Sequence, residues 1–174
     1  MTDRQPSRSR NLGTRYDLAE LPWSRPHDLL TQNLAGPDMA IYLGTVRPDG
    51  RPHSAGVGAI WHDGDVYFVS GAGTQKSRNL AANPACTVSM RLPGLDLVLN
   101  GEAHPVTDPD MLERLAAIYR EIGWPAEVAG DAFTAPYSAP SAGPPPWRVY
   151  RLTVHDAVGL GATEPHGATH WYFD

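Results

Sequence analysis

The stretch Asp63-Gly64-Asp65-Val66-Tyr67-Phe68-Val69-Ser70-Gly71-Ala72-Gly73-Thr74-Gln75-Lys76-Ser77-Arg78-Asn79-Leu80-Ala81-Ala82-Asn83-Pro84 contains a turn, a strand and a helix start in close succession. Asp-Gly is the strongest short-range hairpin signal, because a tight two-residue turn needs positive φ at both positions. It runs directly into Asp65 to Ser70, a β-branched and aromatic segment with a glycine stop, which predicts a strand. Lys76 to Asn83 has no strand character and ends before Pro84, which predicts one or two helical turns. Unpaired N–H groups at a helix start attract negative charge, and Lys76 and Arg78 beside them add charge-assisted donors, with the Thr74 and Ser77 hydroxyls close by. A phosphate-bearing ligand is the functional expectation this placement sets. Taken alone, the segment reads equally well as a solvated helix start.

Upstream, Met39 to Arg47 reads as a strand, and Pro48-Asp49-Gly50-Arg51-Pro52 supplies a turn in which glycine takes the positive φ. His53 to Trp61 should return antiparallel, so that with the Asp63-Gly64 hairpin three strands form a meander. Downstream, Ala85 to Arg91 is a fourth strand, Pro93-Gly94 breaks it, and Asp96 to Val106 is a long fifth whose Pro105 belongs at an edge. Asp108-Pro109 places an N-cap before a first-turn proline, and Met111, Leu115, Ile118 and Ile122 recur at near-helical spacing up to Gly123. Thr134 to Pro146, rich in Pro, Ala, Ser and Gly, resembles a flexible loop or lid. Trp147 to His155 alternates again as a sixth strand. The tail from Gly159 reads as loop, and its Trp171, Tyr172 and Phe173 call for something to pack on, such as a partner subunit.

Residues 1–15 carry Arg4, Arg8, Arg10 and Arg15 among small polar residues, with too few apolar side chains to fold alone. They read as a mobile arm. Asp17 to Leu34 adds enough leucine and tryptophan for a short helix or a packing segment. The division is therefore an N-terminal arm over 1–35 and one domain over 36–174. Six antiparallel strands with short turns predict a mainly β protein, a split β-barrel with appended helices, because closure removes exposed sheet edges.

The 174 residues suit one domain, and a net charge of -5 gives no overall field for nucleic acid or an anionic membrane. Cys86 is the sole cysteine, so no internal disulfide forms, and its strand position without a neighbouring cation suggests a buried, inert thiol. No apolar run approaches the ~20 residues of a membrane helix, and the N-terminus lacks a signal-peptide core, so a cytoplasmic protein is expected. Seven histidines raise the question of a metal, but only His166 and His170 are four apart, and Pro165 and Gly167 break any helix between them. Asp63 and Asp65 lack the further ligands of a calcium loop. Trp61, Trp147 and Trp171 read first as core or interface packing.

The order of these parts resembles the pyridoxamine 5'-phosphate oxidase-like family of FMN-binding split barrels, and within it the flavin/deazaflavin oxidoreductase branch. Three pieces carry the resemblance: Leu43-Gly44-Thr45-Val46-Arg47-Pro48-Asp49-Gly50-Arg51-Pro52-His53, Val66-Tyr67-Phe68-Val69-Ser70, and Lys76-Ser77-Arg78-Asn79-Leu80-Ala81-Ala82-Asn83-Pro84. A weaker match covers Trp147 to Leu152, and none covers residues 1–35. The resemblance implies a homodimer with two cofactors at the subunit interface. It places the cofactor phosphate on Lys76, Ser77 and Arg78, and the ring along His53, Ser54, Ala55 and Val57, with Val69, Ser70 and Thr74 nearby. The small residues Ser54, Ala55, Gly56, Gly58 and Ala59 would let a flat ring approach the backbone, and they equally suit a tight barrel. Val57-Gly58-Ala59-Ile60 lacks the basic residues that oxidases of pyridoxamine phosphate carry there, which argues against that substrate.

FMN and F420 both bring phosphate and a tricyclic ring, and Lys-x-Arg does not separate them; Arg47, Arg51 or the arginines of the arm are candidates for an acidic F420 tail. The implied activity is an oxidoreductase in which the cofactor exchanges hydride with a small conjugated or aromatic substrate, with Tyr137, Tyr150, His170 or water as proton donor. Such chemistry requires no protein nucleophile. The alternative is a non-catalytic protein of the same fold that binds or stores a flavin, deazaflavin or haem.

Overall fold

A computed structural model describes residues 4–34, 39–136 and 142–174. Among these residues, eleven strands and three α-helices follow one another as β1 (Arg8–Asn11), α1 (Ser24–Asn33), β2 (Ile41–Val46), β3 (Pro52–Gly56), β4 (Ala59–His62), β5 (Asp65–Gly71), α2 (Gln75–Ala82), β6 (Ala85–Leu92), β7 (Leu95–Pro105), α3 (Pro109–Glu121), β8 (Glu127–Ala129), β9 (Ala132–Thr134), β10 (Trp147–Gly161) and β11 (Ala168–Tyr172).

Every strand pairing is antiparallel, and the order β3-β2-β6-β7-β10-β5-β4 wraps the sheet until its two ends lie on consecutive pieces of chain. β3 and β4 do not pair with each other; Val57 and Gly58 carry the chain from one to the other as the seam of a split barrel. Counting β3 and β4 as one bent strand gives the six expected barrel strands, with the mainly β class and antiparallel sheet as predicted. The expected three-strand meander is corrected here: β2 pairs with β3 and β4 with β5, so two hairpins replace a continuous ladder. Asp63 and Gly64 supply the second turn with φ of 49° and 82°, the twist a two-residue hairpin requires.

Alternation along β2, β6 and β7 sends Leu43, Val88 and Leu99 into the barrel, all fully buried. A second apolar cluster lies outside, where Leu112, Leu115 and Tyr119 of α3 meet Tyr67, Phe133 and Trp147. α3 starts as the sequence predicts: Asp108 Oδ1 accepts the Met111 N–H at 2.7 Å and Pro109 fills the first turn.

Two expectations about the chain ends are overturned. Arg8–Asn11, read as part of a mobile arm, pairs along its length with β11, and Leu21, Trp23 and Leu30 join the barrel core. The arm is polar because its strand is stabilised by backbone hydrogen bonds rather than by side-chain burial. The tail, read as loop, forms β11 against β10, and Trp171 and Phe173 pack edge-on against Trp23 of the same chain at 5.4 and 4.9 Å. These aromatics therefore bury within their own subunit. The Thr134 to Pro146 loop lies partly outside the described residues, but Thr134 ends β9. Among the described residues, no helix is long and apolar enough to cross a membrane.

Candidate functional site

Three hydroxyls organise the junction of β5 and α2. Thr74 is the N-cap and accepts the Ser77 N–H at 3.3 Å, while Ser70 lies 2.7 Å from the Thr74 hydroxyl and 2.8 Å from that of Ser77. Ser70 and Ser77 are buried, so this triad locks the helix start to the strand. Arg78 folds back to donate to Gly73 O at 2.6 Å and Gln75 Oε1 at 2.9 Å, leaving its guanidinium exposed. Lys76 is the reverse, only 3% exposed, and burial holds its pKa below the usual lysine range.

Asn79, on the same helix, donates its Nδ2–H to Thr45 Oγ1 at 2.9 Å, and Thr45 lies 3.4 Å from His53 Nδ1. Burial, then the charge of Arg47, then that of Lys76 lower the pKa of His53. Two cations and a neutral imidazole thus gather at the β2–β3 side of the sheet.

A cavity of about 750 Å³ opens on the outer face of the sheet beside them, lined among others by Thr45, His53, Ser54, Thr87, Asn100, Glu102 and Asp156. Its floor is a cross-strand row in which Ser54 opposes Gly44, Gly44 opposes Thr87, Thr87 opposes Asn100 and Asn100 opposes Asp156. The row crosses four strand spacings, about 19 Å at ~4.8 Å each. Gly44 keeps the floor low, since a Cβ there would come within 2.5 Å of Thr87 Oγ1. At the far side β10 shifts register between Val154 and Asp156, a bulge that lets His155 and Asp156 both line the cavity. The cavity is therefore polarised, with Arg47 and Lys76 beyond its β2–β3 wall and Glu102 and Asp156 at its β7–β10 wall. Cys86 also borders it, and burial pushes its thiol up to about 12, far from a reactive thiolate.

The ten sequence-predicted site residues do not converge on one surface. His53 and Ser54 line the cavity; Lys76 stands behind it within electrostatic reach of His53. Pleating divides the second strand, because Ser54 opposes Gly44 of the floor while His53 and Ala55 oppose the buried Thr45 and Leu43. Val57 is buried at the seam and Val69 packs toward α3. Ser70, Thr74 and Ser77 are engaged in the helix cap. Of the expected proton donors, Tyr137 lies outside the described residues, Tyr150 stacks on Phe68 in the core at 5.4 Å, and His170 pairs with Asp156. Sequence reading missed Gly44, Thr87, Asn100, Glu102 and Asp156, which come together only through the register of four strands.

A family model described as pyridoxamine 5'-phosphate oxidase matches residues 34–158. No curated protein matches the sequence. Among solved structures, a pyridoxamine 5'-phosphate oxidase-related, FMN-binding protein from Nostoc punctiforme PCC 73102 superposes with a TM-score of 0.61 at 16% identity, covering 90% of this chain and 93% of that one. A protein described as an F420 reductase gives 0.50 at 22% identity over 72% of this chain and 94% of its own. A haem-binding protein from Mycobacterium smegmatis gives 0.55 at 16% identity over 87% and 59%. At such identities the likeness is one of fold.

Proposed function

The chain belongs to the pyridoxamine 5'-phosphate oxidase family, and from that premise we propose that it binds FMN or F420 in the outer-face cavity as an oxidoreductase of small conjugated or aromatic substrates. The observation that carries this reading is the polarised cavity itself, with small side chains on its floor and Lys76 and Arg47 at one side. The charges of Lys76 and Arg47, which reach His53 at the β2–β3 wall, would draw the phosphate to that side, and the low row through Gly44, Ser54 and Thr87 would take the flat ring. Once bound, such a ring supplies hydride chemistry that side chains lack. The protein's part is to orient the ring, exclude water and present a substrate beside it.

The cofactor classes are those the family resemblance implies, and the FMN-binding and F420-reductase neighbours support them. Oxidation of pyridoxamine phosphate is not proposed, since the seam after β3 offers Val57 and Gly58 instead of cations. A homodimer with the cofactor at the interface is part of the proposal. Its support is the exposed Tyr42 and Leu160 on the same outer face, where a smaller cavity shares Ser89 with the larger one.

A carrier role is the second reading, favoured by the haem-binding neighbour. Equilibrium titration of the full chain with FMN, F420 and haemin, followed by turnover with a reductant and a panel of quinones and enones, tests both. Flavin or deazaflavin binding with turnover supports the oxidoreductase; tight binding without turnover supports the carrier; no binding of any of the three refutes the site.

A further inference from the structure

Asp156 sits at the centre of a hydrogen-bonded chain along the β7–β10–β11 side of the cavity. Its Oδ1 receives Asn100 Nδ2 at 2.7 Å and His170 Nε2 at 2.7 Å. His170 Nδ1 lies 3.0 Å from the Tyr172 hydroxyl, and the Arg8 guanidinium lies 3.5 Å over the Tyr172 ring. One neutral tautomer satisfies every contact: Tyr172 O–H donates to Nδ1, and Nε2–H donates to the carboxylate.

Both donors converge on the same oxygen. Asp156 Oδ2 has no hydrogen-bond partner among the described residues, although the carboxylate lines the cavity. An ionised carboxylate only accepts, so a ligand that engages this oxygen must bring an N–H or O–H donor. Asp156 stands on the wall opposite the cations, so it meets the part of a bound ligand remote from the phosphate. We propose that Asp156 reads the imide N–H of the pyrimidinedione edge that FMN and F420 share, with Asn100 and His170 as positioning residues that fix its free oxygen toward the ring. This rests on the cofactor reading above.

The test titrates the full chain with FMN and with its 3-methyl analogue, which lacks that N–H, following flavin fluorescence. Wild type should prefer FMN by about tenfold or more, as expected for a charge-assisted hydrogen bond. Asp156→Asn is nearly isosteric, and the two donors at the Oδ1 position hold the amide oxygen there, so its NH₂ faces the ligand's N–H. That variant should lose the preference mainly through weaker FMN binding. His170→Phe should reduce the preference, and His170→Gln, which keeps an N–H for Oδ1, should restore part of it. Equal wild-type affinity for the two flavins, or a preference that survives Asp156→Asn, overturns the inference alone. Failure of wild type to bind either flavin overturns it together with FMN binding at this site.

Discussion

Asn79 of α2 donates to the Thr45 hydroxyl of β2 across 2.9 Å, with both side chains sealed from solvent, and this bond ties the lysine-bearing helix to the wall of the cavity. Asn79 also accepts the Gln75 amide at 2.7 Å. Replacing Asn79 by Ala leaves the buried Thr45 hydroxyl with only its long 3.4 Å contact to His53 and frees Gln75, so stability should fall by about 1–3 kcal/mol in urea unfolding. FMN should bind more weakly to the same variant because α2 loses its fixed position. Unchanged stability and affinity would refute this linkage.

Lys76 should contribute to phosphate recognition through its charge. In Lys76→Met, affinity for FMN should drop several-fold, because the lysine acts on the phosphate through its charge from behind the cavity wall. Riboflavin, which lacks the phosphate, should bind both proteins alike. Burial lowers the lysine pKa from 10.5, so the charge costs stability in full below the folded-state pKa, and that cost disappears as pH rises from there toward 10.5. Wild type should therefore gain stability relative to the methionine variant across that alkaline window.

His53 reports on the same charges. Burial first, then Arg47 and Lys76, lower its pKa, so its imidazole should titrate in NMR below the ordinary 6.5. Lys76→Met should move the midpoint upward, and bound FMN should move it upward in wild type by placing an anion nearby. Its stability effect has the same sign as that of Lys76: a cost present below the folded-state pKa is lost as pH rises toward 6.5. A midpoint that ignores Lys76 would place that cation farther from the cavity than proposed.

The parts of the fold legible in the sequence are those encoded locally. Asp63-Gly64 announces its turn because few other pairs tolerate two positive φ values, and the six barrel strands show alternation or apolar runs. β1 was hidden because Arg8–Asn11 is polar and exposed, and is held by pairing with a strand some 160 residues away. Of the proposed site, only the cationic side was legible. Gly44, Thr87, Asn100 and Asp156 lie on four strands, each unremarkable in its own segment, and only the ladder register aligns them. The residues Ser70, Thr74 and Ser77 carried the right chemistry for an anion, yet their hydroxyls satisfy one another at the helix cap.

The ion pair beneath the β5–β10 ladder is a stability element away from the cavity. Asp65 is fully buried, its Oδ2 receives Arg151 Nε at 2.7 Å and Nη2 at 2.6 Å, and its Oδ1 accepts the Val154 N–H at 3.1 Å. Arg151→Met strands a buried carboxylate, which costs about 3–5 kcal/mol when fully desolvated. Arg151 is half exposed and Arg4 lies 3.7 Å from Oδ1, so a smaller loss of about 2–3 kcal/mol is expected by chemical denaturation. Flavin affinity should stay at the wild-type value.

The C-terminal strand offers the sharpest distinction between a subunit contact and a core element. Trp171 is 1% exposed, its ring meets Trp23 at 5.4 Å, and Gly159 leaves room for it, since a Cβ there would lie 2.8 Å from two ring carbons. Trp171→Ala should therefore cost about 3–5 kcal/mol, the range for deleting a large buried aromatic. Removing residues 164–174 goes further, taking away β11, the pairing partner of β1, and exposing the outer half of β10. The truncated chain should lose its cooperative thermal transition in circular dichroism at all protein concentrations. Were those residues a contact between subunits only, truncation would instead leave a folded monomer with a preserved transition.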